Sequence, residues 1–224
     1  MEHEKQGDQF DQLLSRLVGQ LDTLVPFLAL AHGEIFGVLS SEYADWYPDE
    51  RRATLPASFQ EYCHQVAHAA FLLGYSYAEA FITDVIWGVY SSRRDLLPKD
   101  RALRFSEVLP LANFEDVIRC MIDSTVGDFN SLEKKIHHLE TRLGLRVEQS
   151  TQLLDAHVAR NALVHNAGRV NRSQTENSSW QTGDIVRLSV EDVHEFGKLA
   201  REYAEQLCSR AQRLCATQKT GVAE

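Results

Sequence analysis

The stretch AAFLLGYSYAEAFITDVIWGVY, residues 69–90, is apolar on nearly every helical face. A helix that is hydrophobic all round belongs at the centre of a bundle or inside a bilayer. Glu79 and Asp84 lie within it, and a carboxylate at mid-bilayer is costly, so the stretch reads as the central helix of an all-α bundle. Ser58-Phe59-Gln60-Glu61 has the pattern of a capping box and opens this helix, which runs to about Arg94 and is stopped by Leu97-Pro98. A second apolar run, 24–39, is short and holds Pro26, His32 and Glu34, so it does not read as a membrane span either.

Helical punctuation continues on both sides. Leu13, Leu14, Leu17, Leu21, Leu24, Val25 and Leu28 recur at three- and four-residue steps, giving a helix or broken pair over about 8–40 that Pro26 should kink or restart. Residues 41–57, with Trp46, Tyr47, Pro48 and Pro56, read as a loop. Over 99–146 shorter helices are expected to start at Asn113 with Asp116 and at Asn130 with Glu133, the latter closed by Gly144. A further helix covers about 147–166 and stops at Gly168. Residues 169–188 read as a loop with a short hairpin around Asp184-Ile185-Val186-Arg187-Leu188, and Ser189 with Asp192 caps a last helix over about 190–216. The predicted organisation is one domain over 1–224, with a helical extension at 1–57, a core at about 58–216 and a frayed tail at 217–224.

Composition bounds the function. The 224 residues are 44% hydrophobic and 25% charged, as in ordinary globular proteins. A net charge of −9 argues against a surface that coats nucleic acid indiscriminately, but leaves room for a small basic site. Cys63, Cys120, Cys208 and Cys215 form no CxxC pair, so a zinc ribbon or thioredoxin-like motif is not indicated and reduced cytosolic thiols are expected. The polar start, Met1-Glu2-His3-Glu4-Lys5, carries no apolar signal core, so a cytoplasmic protein without membrane contact is expected.

The chemistry concentrates in Arg160-Asn161-Ala162-Leu163-Val164-His165, near the end of a predicted helix. Five helical positions rotate about 500°, so Arg160 and His165 lie about 140° apart on the cylinder, while Asn161 and His165 share a face. The long Arg160 stem lets the guanidinium swing toward that face. Cleavage of RNA by its own 2′-hydroxyl needs a base, an acid for the leaving 5′ oxygen and a cation for the developing phosphorane charge. His165 suits the base or acid role, Arg160 grips a phosphate bidentately, and Asn161 holds a phosphate oxygen or orients the imidazole. No metal or cofactor is required. One helix supplies an incomplete site, which a second copy packed across a two-fold axis would complete.

Arg-Asn-x-x-x-His, here Arg160, Asn161 and His165, resembles the motif of the HEPN superfamily (higher eukaryotes and prokaryotes nucleotide-binding). Val164-His165-Asn166-Ala167-Gly168, Gly183-Asp184-Ile185-Val186-Arg187-Leu188-Ser189 and the helix starting Val190-Glu191-Asp192-Val193 resemble its ribonuclease-like branch. The likeness covers about 145–207 and, loosely, 66–90, where Tyr77-Ala78-Glu79-Ala80-Phe81 looks like the family's buried helix; it is not visible over 1–57 or 95–145. It implies an all-α, HEPN-like bundle that dimerises along the motif helices. It also implies a metal-independent endoribonuclease leaving a 2′,3′-cyclic phosphate, acting as a toxin or phage-defence effector with an antitoxin or defence-system partner. The alternative within the family is a non-catalytic module that binds a nucleotide or a protein, as scaffold or antitoxin.

Other polar groups have plainer readings beside functional ones. One of Glu79 and Asp84 is expected to pair with Arg160 and position it. His157, Asn161 and His165 fall at four-residue steps and form one polar stripe, in which His157 reads as structural; Asn166 supports the helix end. His64 and His68 have a zinc-compatible spacing, but position 65 is Gln and no third ligand is evident, so a structural pair is expected. Lys134, Lys135, His137 and His138, and the run Arg93, Arg94, Lys99, Arg101 and Arg104, read as solvated faces that could also guide an RNA backbone. Trp46 and Trp180 read as staples against the bundle rather than as base-stacking platforms.

Overall fold

A computed structural model describes residues 2–24, 26–28, 55–99, 102–171 and 178–217. Among the described residues the helices include α1 (Glu2–Asp22), α2 (Leu55–Ser92), α3 (Phe105–Val108), α4 (Phe114–Gly127), α5 (Leu132–Thr141), α6 (Ser150–His165) and α7 (Val190–Ala216). Among the described residues the only extended pairing is an isolated antiparallel bridge, Arg169 to Ile185, so the architecture is all-α with the expected hairpin reduced to its first rung.

Local chemistry sets most of the helix ends. Asn113 caps α4 by accepting from the Asp116 N–H at 2.9 Å, as expected. The cap of α5 is Ser131 rather than Asn130: its hydroxyl accepts from the Lys134 N–H at 3.3 Å. Ser189 and Asp192 form the reciprocal cap of α7, the Ser189 N–H donating to Asp192 Oδ2 at 2.7 Å and the Asp192 N–H to Ser189 Oγ at 3.2 Å. The expected cap at Ser58 is corrected, because α2 already begins at Leu55. Pro56 falls in its first turn, where a missing N–H leaves no hydrogen bond unmade. Helix α1 ends at Asp22, Thr23 is a turn, and the chain is helical again at Leu24 and at 26–28, so the restart comes just before Pro26. Trp46, Arg101, the loop over 41–54 and the tail over 218–224 lie outside the described residues.

The chain packs as two units. One comprises Met1–Arg16, Ala78–Ser150 and Glu202–Glu224; the other comprises Leu17–Tyr77 and Thr151–Arg201. The core of the first holds Phe10, Ile82, Ile86, Tyr90, Ile122, Leu132, Leu139 and Leu207. That of the second holds Leu17, Leu21, Phe71, Tyr75, Leu153, Ala162, Val186 and Phe196, with the Phe71 and Phe196 rings edge to face at 5.0 Å. Helix α2 therefore contributes buried residues to both cores. Its Glu61–Ser92 portion is long and apolar enough to cross a membrane by composition, and half of its most apolar window is buried by protein. Burial against protein is the reading that its two internal carboxylates favour.

Candidate functional site

All groups of the candidate site belong to the second unit and rest on α6 and on Tyr75, midway along α2. Helix α6 stops just past His165 because the next turn reverses its backbone hand. Ala167 and Gly168 take φ of 50° and 82°, and the Gly168 N–H returns to the Ala162 carbonyl at 2.9 Å. Gly168 then starts the paired segment. Its carbonyl accepts from the Val186 N–H at 2.8 Å, and the Val170 N–H reaches the Asp184 carbonyl at 2.9 Å. Asn166 serves this turn through its main chain, donating to Ala162 at 3.0 Å and accepting from the Arg169 N–H at 3.0 Å. His165 is thereby left exposed on the last turn of the helix, beside the 46% exposed Val164.

The Arg160 side chain crosses the helix surface as its length allows. Its Nη1 donates to Asn161 Oδ1 at 2.9 Å and lies 3.3 Å from His165 Nε2. The guanidinium carbon sits 5.9 Å from the centroid of the Tyr75 ring, a cation–π distance. Asn161 Nδ2 lies 3.0 Å from His157 Nε2, one turn back, and His157 Nδ1 lies 2.7 Å from the phenolic oxygen of Tyr75. The Tyr75 and His157 rings stack at 6.1 Å with 29° between planes. The structure thus joins Arg160, Asn161 and His165 and adds His157 and Tyr75 to the same network. Tyr75 carried no sequence signal: its hydroxyl meets a residue 82 positions away.

The carboxylates do not occupy the role expected of them. Glu79 accepts from Lys135 Nζ at 2.9 Å, and Asp84 pairs with Arg16, all four residues in the first unit. The neutral amide of Asn161, not a carboxylate, holds the Arg160 guanidinium. Lys135 and His138 are buried, which corrects their reading as a solvated face with Lys134 and His137. His138 Nε2 lies 2.5 Å from the Tyr90 hydroxyl, and burial, with Arg142 and His137 nearby, pushes its pKa down to about 4.

The imidazoles of His64 and His68 hold main chain. His64 Nδ1 lies 2.9 Å from the Leu188 carbonyl, and the Leu188 N–H donates to His68 Nε2 at 3.2 Å. Burial, then the neighbouring His64, lowers the His68 pKa against an opposing pull from Glu61. Trp180 is a staple: its indole N–H donates to the Asp155 carbonyl at 3.1 Å. The Asp155 carboxylate takes the Ser178 hydroxyl at 2.7 Å and the Ser179 N–H and hydroxyl at 2.8 Å each. Part of the basic run is held in local pairs, Arg93 with Asp95 at 2.7 Å and Arg94 with Glu115 at 2.8 Å. Comparison with protein-family models, with curated proteins and with solved structures finds no match to this chain.

Proposed function

We propose that the protein is a metal-independent endoribonuclease of the HEPN type, acting as a toxin or defence effector. The observation that carries this reading is the position of Arg160 Nη1, within hydrogen-bonding reach of both Asn161 Oδ1 and His165 Nε2 at the exposed end of α6. A guanidinium always donates, so the His165 Nε2 facing it presents a lone pair. That lone pair is what a general base needs. When a phosphodiester enters, Arg160 turns to its non-bridging oxygens and Nε2 becomes free to take the 2′-hydroxyl proton. The 2′ oxygen bonds to phosphorus, the bond from phosphorus to the 5′ oxygen breaks, and the leaving oxygen takes up a proton from an acid. The imidazole of a second copy supplies that acid, and the exposed Val164 and His165 lie on the open surface such a copy would cover. Arg160 offsets the charge that grows on the phosphorane, and Asn161 steers Arg160.

Incubation of the purified protein with total RNA in EDTA tests the proposal. Cleavage that survives the chelator and leaves 2′,3′-cyclic ends supports it. Arg160→Ala and His165→Ala should each abolish cleavage with the fold intact, and full activity in either variant overturns the assignment. Intact RNA with the unaltered protein turns the reading to a non-catalytic nucleotide- or protein-binding module.

A further inference from the structure

The polarity of the network around Arg160 is fixed from one end. Arg160 has donors only, so the Asn161 side-chain oxygen faces it and the Asn161 amide nitrogen faces His157. That nitrogen donates, so His157 Nε2 accepts and the His157 proton resides on Nδ1. Nδ1–H then donates to the Tyr75 oxygen at 2.7 Å. The opposite tautomer sets the His157 N–H against the Asn161 NH₂. Relief by turning the amide would bring its NH₂ onto the guanidinium, donor against donor, and Arg160 would leave. Tyr75 is 2% exposed and cannot rotate away. Its ring stacks on His157 and lies beneath the Arg160 guanidinium, so one buried side chain touches both ends of the relay.

We propose that Tyr75 and His157 are positioning residues for Arg160: the Tyr75 oxygen accepts from His157 Nδ1–H and anchors the ring, and His157 Nε2 in turn orients the Asn161 amide that holds the guanidinium beside His165. Their relevance to catalysis rests on the ribonuclease reading above; their effect on Arg160 does not. Arg160 meets the phosphate on entry and offsets the charge that grows on it afterwards, so loss of the relay lowers kcat more than it raises KM.

The test compares Tyr75→Phe, His157→Asn and His157→Gln. Glutamine places its side-chain oxygen near the Nε2 position and can still accept from Asn161, whereas asparagine reproduces only the Nδ1 side. Tyr75→Phe and His157→Asn should lose about tenfold or more in kcat, and His157→Gln should stay within about threefold of the unaltered protein. A merely structural role would rank the variants by stability instead. Nitrogen NMR of the full chain provides the readout that needs no RNA: His157 should show a protonated Nδ1 and a bare Nε2. The Arg160 guanidinium should rotate slowly in the unaltered protein and in His157→Gln, and freely in the other two. A protonated Nε2 on His157, or an equally restrained Arg160 in Tyr75→Phe and His157→Asn, overturns the proposal whether or not RNA is cut. RNA left intact by a protein with the expected NMR pattern overturns the ribonuclease reading alone.

Discussion

Replacing Gly168 by Ala should destabilise the second unit by about 2–3 kcal/mol, and the sum has two separable parts. The first is backbone: at φ +82° an L side chain costs about 1–2 kcal/mol. The second is contact. A Cβ at this position would sit 3.3 Å from the Val186 carbonyl oxygen, a main-chain atom with no rotamer to yield. Val186 is also tied to residue 168 by its own N–H at 2.8 Å, and the Gly183 N–H to Val170 and the Val170 N–H to Asp184 close the same ladder at 2.9 Å each. Pushing Val186 away strains these bonds, each worth about 1 kcal/mol. Gly144 provides the control, because its φ is +67° and nothing lies within 4 Å of the Cβ it lacks. Gly144→Ala should therefore lose only the backbone part, about 1–2 kcal/mol. Urea unfolding of both variants gives the difference, and hydrogen exchange at the Val170 and Val186 amides shows whether the ladder has opened. Equal destabilisation of the two variants with unchanged exchange would refute the contact argument.

Three further outcomes concern side chains outside the candidate site. His138 has a folded pKa of about 4 against an ordinary 6.5, so below 6.5 the unfolded chain binds the proton that the folded one refuses. Its contribution, about 3 kcal/mol, is whole above pH 6.5 and is lost as pH falls through 4, so urea midpoints should drop more steeply between pH 7 and 4.5 than in His138→Gln. A parallel fall in both proteins would remove His138 as the cause. Cys208 and Cys215 are buried, and burial pushes the Cys208 thiol up to about 12 and raises that of Cys215. A thiol reagent at pH 8 should modify the half-exposed Cys63 and Cys120 first and the buried pair only on unfolding; prompt labelling of Cys208 would contradict the packing. Asp155→Ala removes the acceptor for Ser178 and Ser179 and should red-shift Trp180 emission while costing about 1–2 kcal/mol; an unchanged spectrum would mean the indole holds the segment unaided.

How much of this could be read beforehand depends on whether the physics was local. The caps at Asn113 and Ser189 and the stop at Gly168 use groups a few residues apart, and their sequence patterns specify them. The meeting of Arg160 with His165 followed from helical angle and side-chain length. The cap at Ser58 fails because Pro56 also favours a helical first turn, and the helix takes the earlier start. The partners of Glu79 and Asp84 were missed because spacing shows that a buried carboxylate needs a cation, not which cation the packing brings. Lys135 and His138 were read outward from their charge, but at three-residue separation they share the face of α5 that carries Ile136 and Leu139 inward. Tyr75 lies within the apolar run of α2, and only the fold places its oxygen on His157.

The grip of His64 and His68 on Leu188 has a bearing on how freely this chain can vary. Two imidazoles seize the peptide groups of residue 188, so attachment is blind to the side chain displayed there. Position 188 should accept exchange among aliphatic residues that fill the same buried space, yet reject proline, whose imide lacks the hydrogen that His68 receives. The burden of specificity thus shifts to the two histidines, and drift at 188 leaves the lead into α7 anchored.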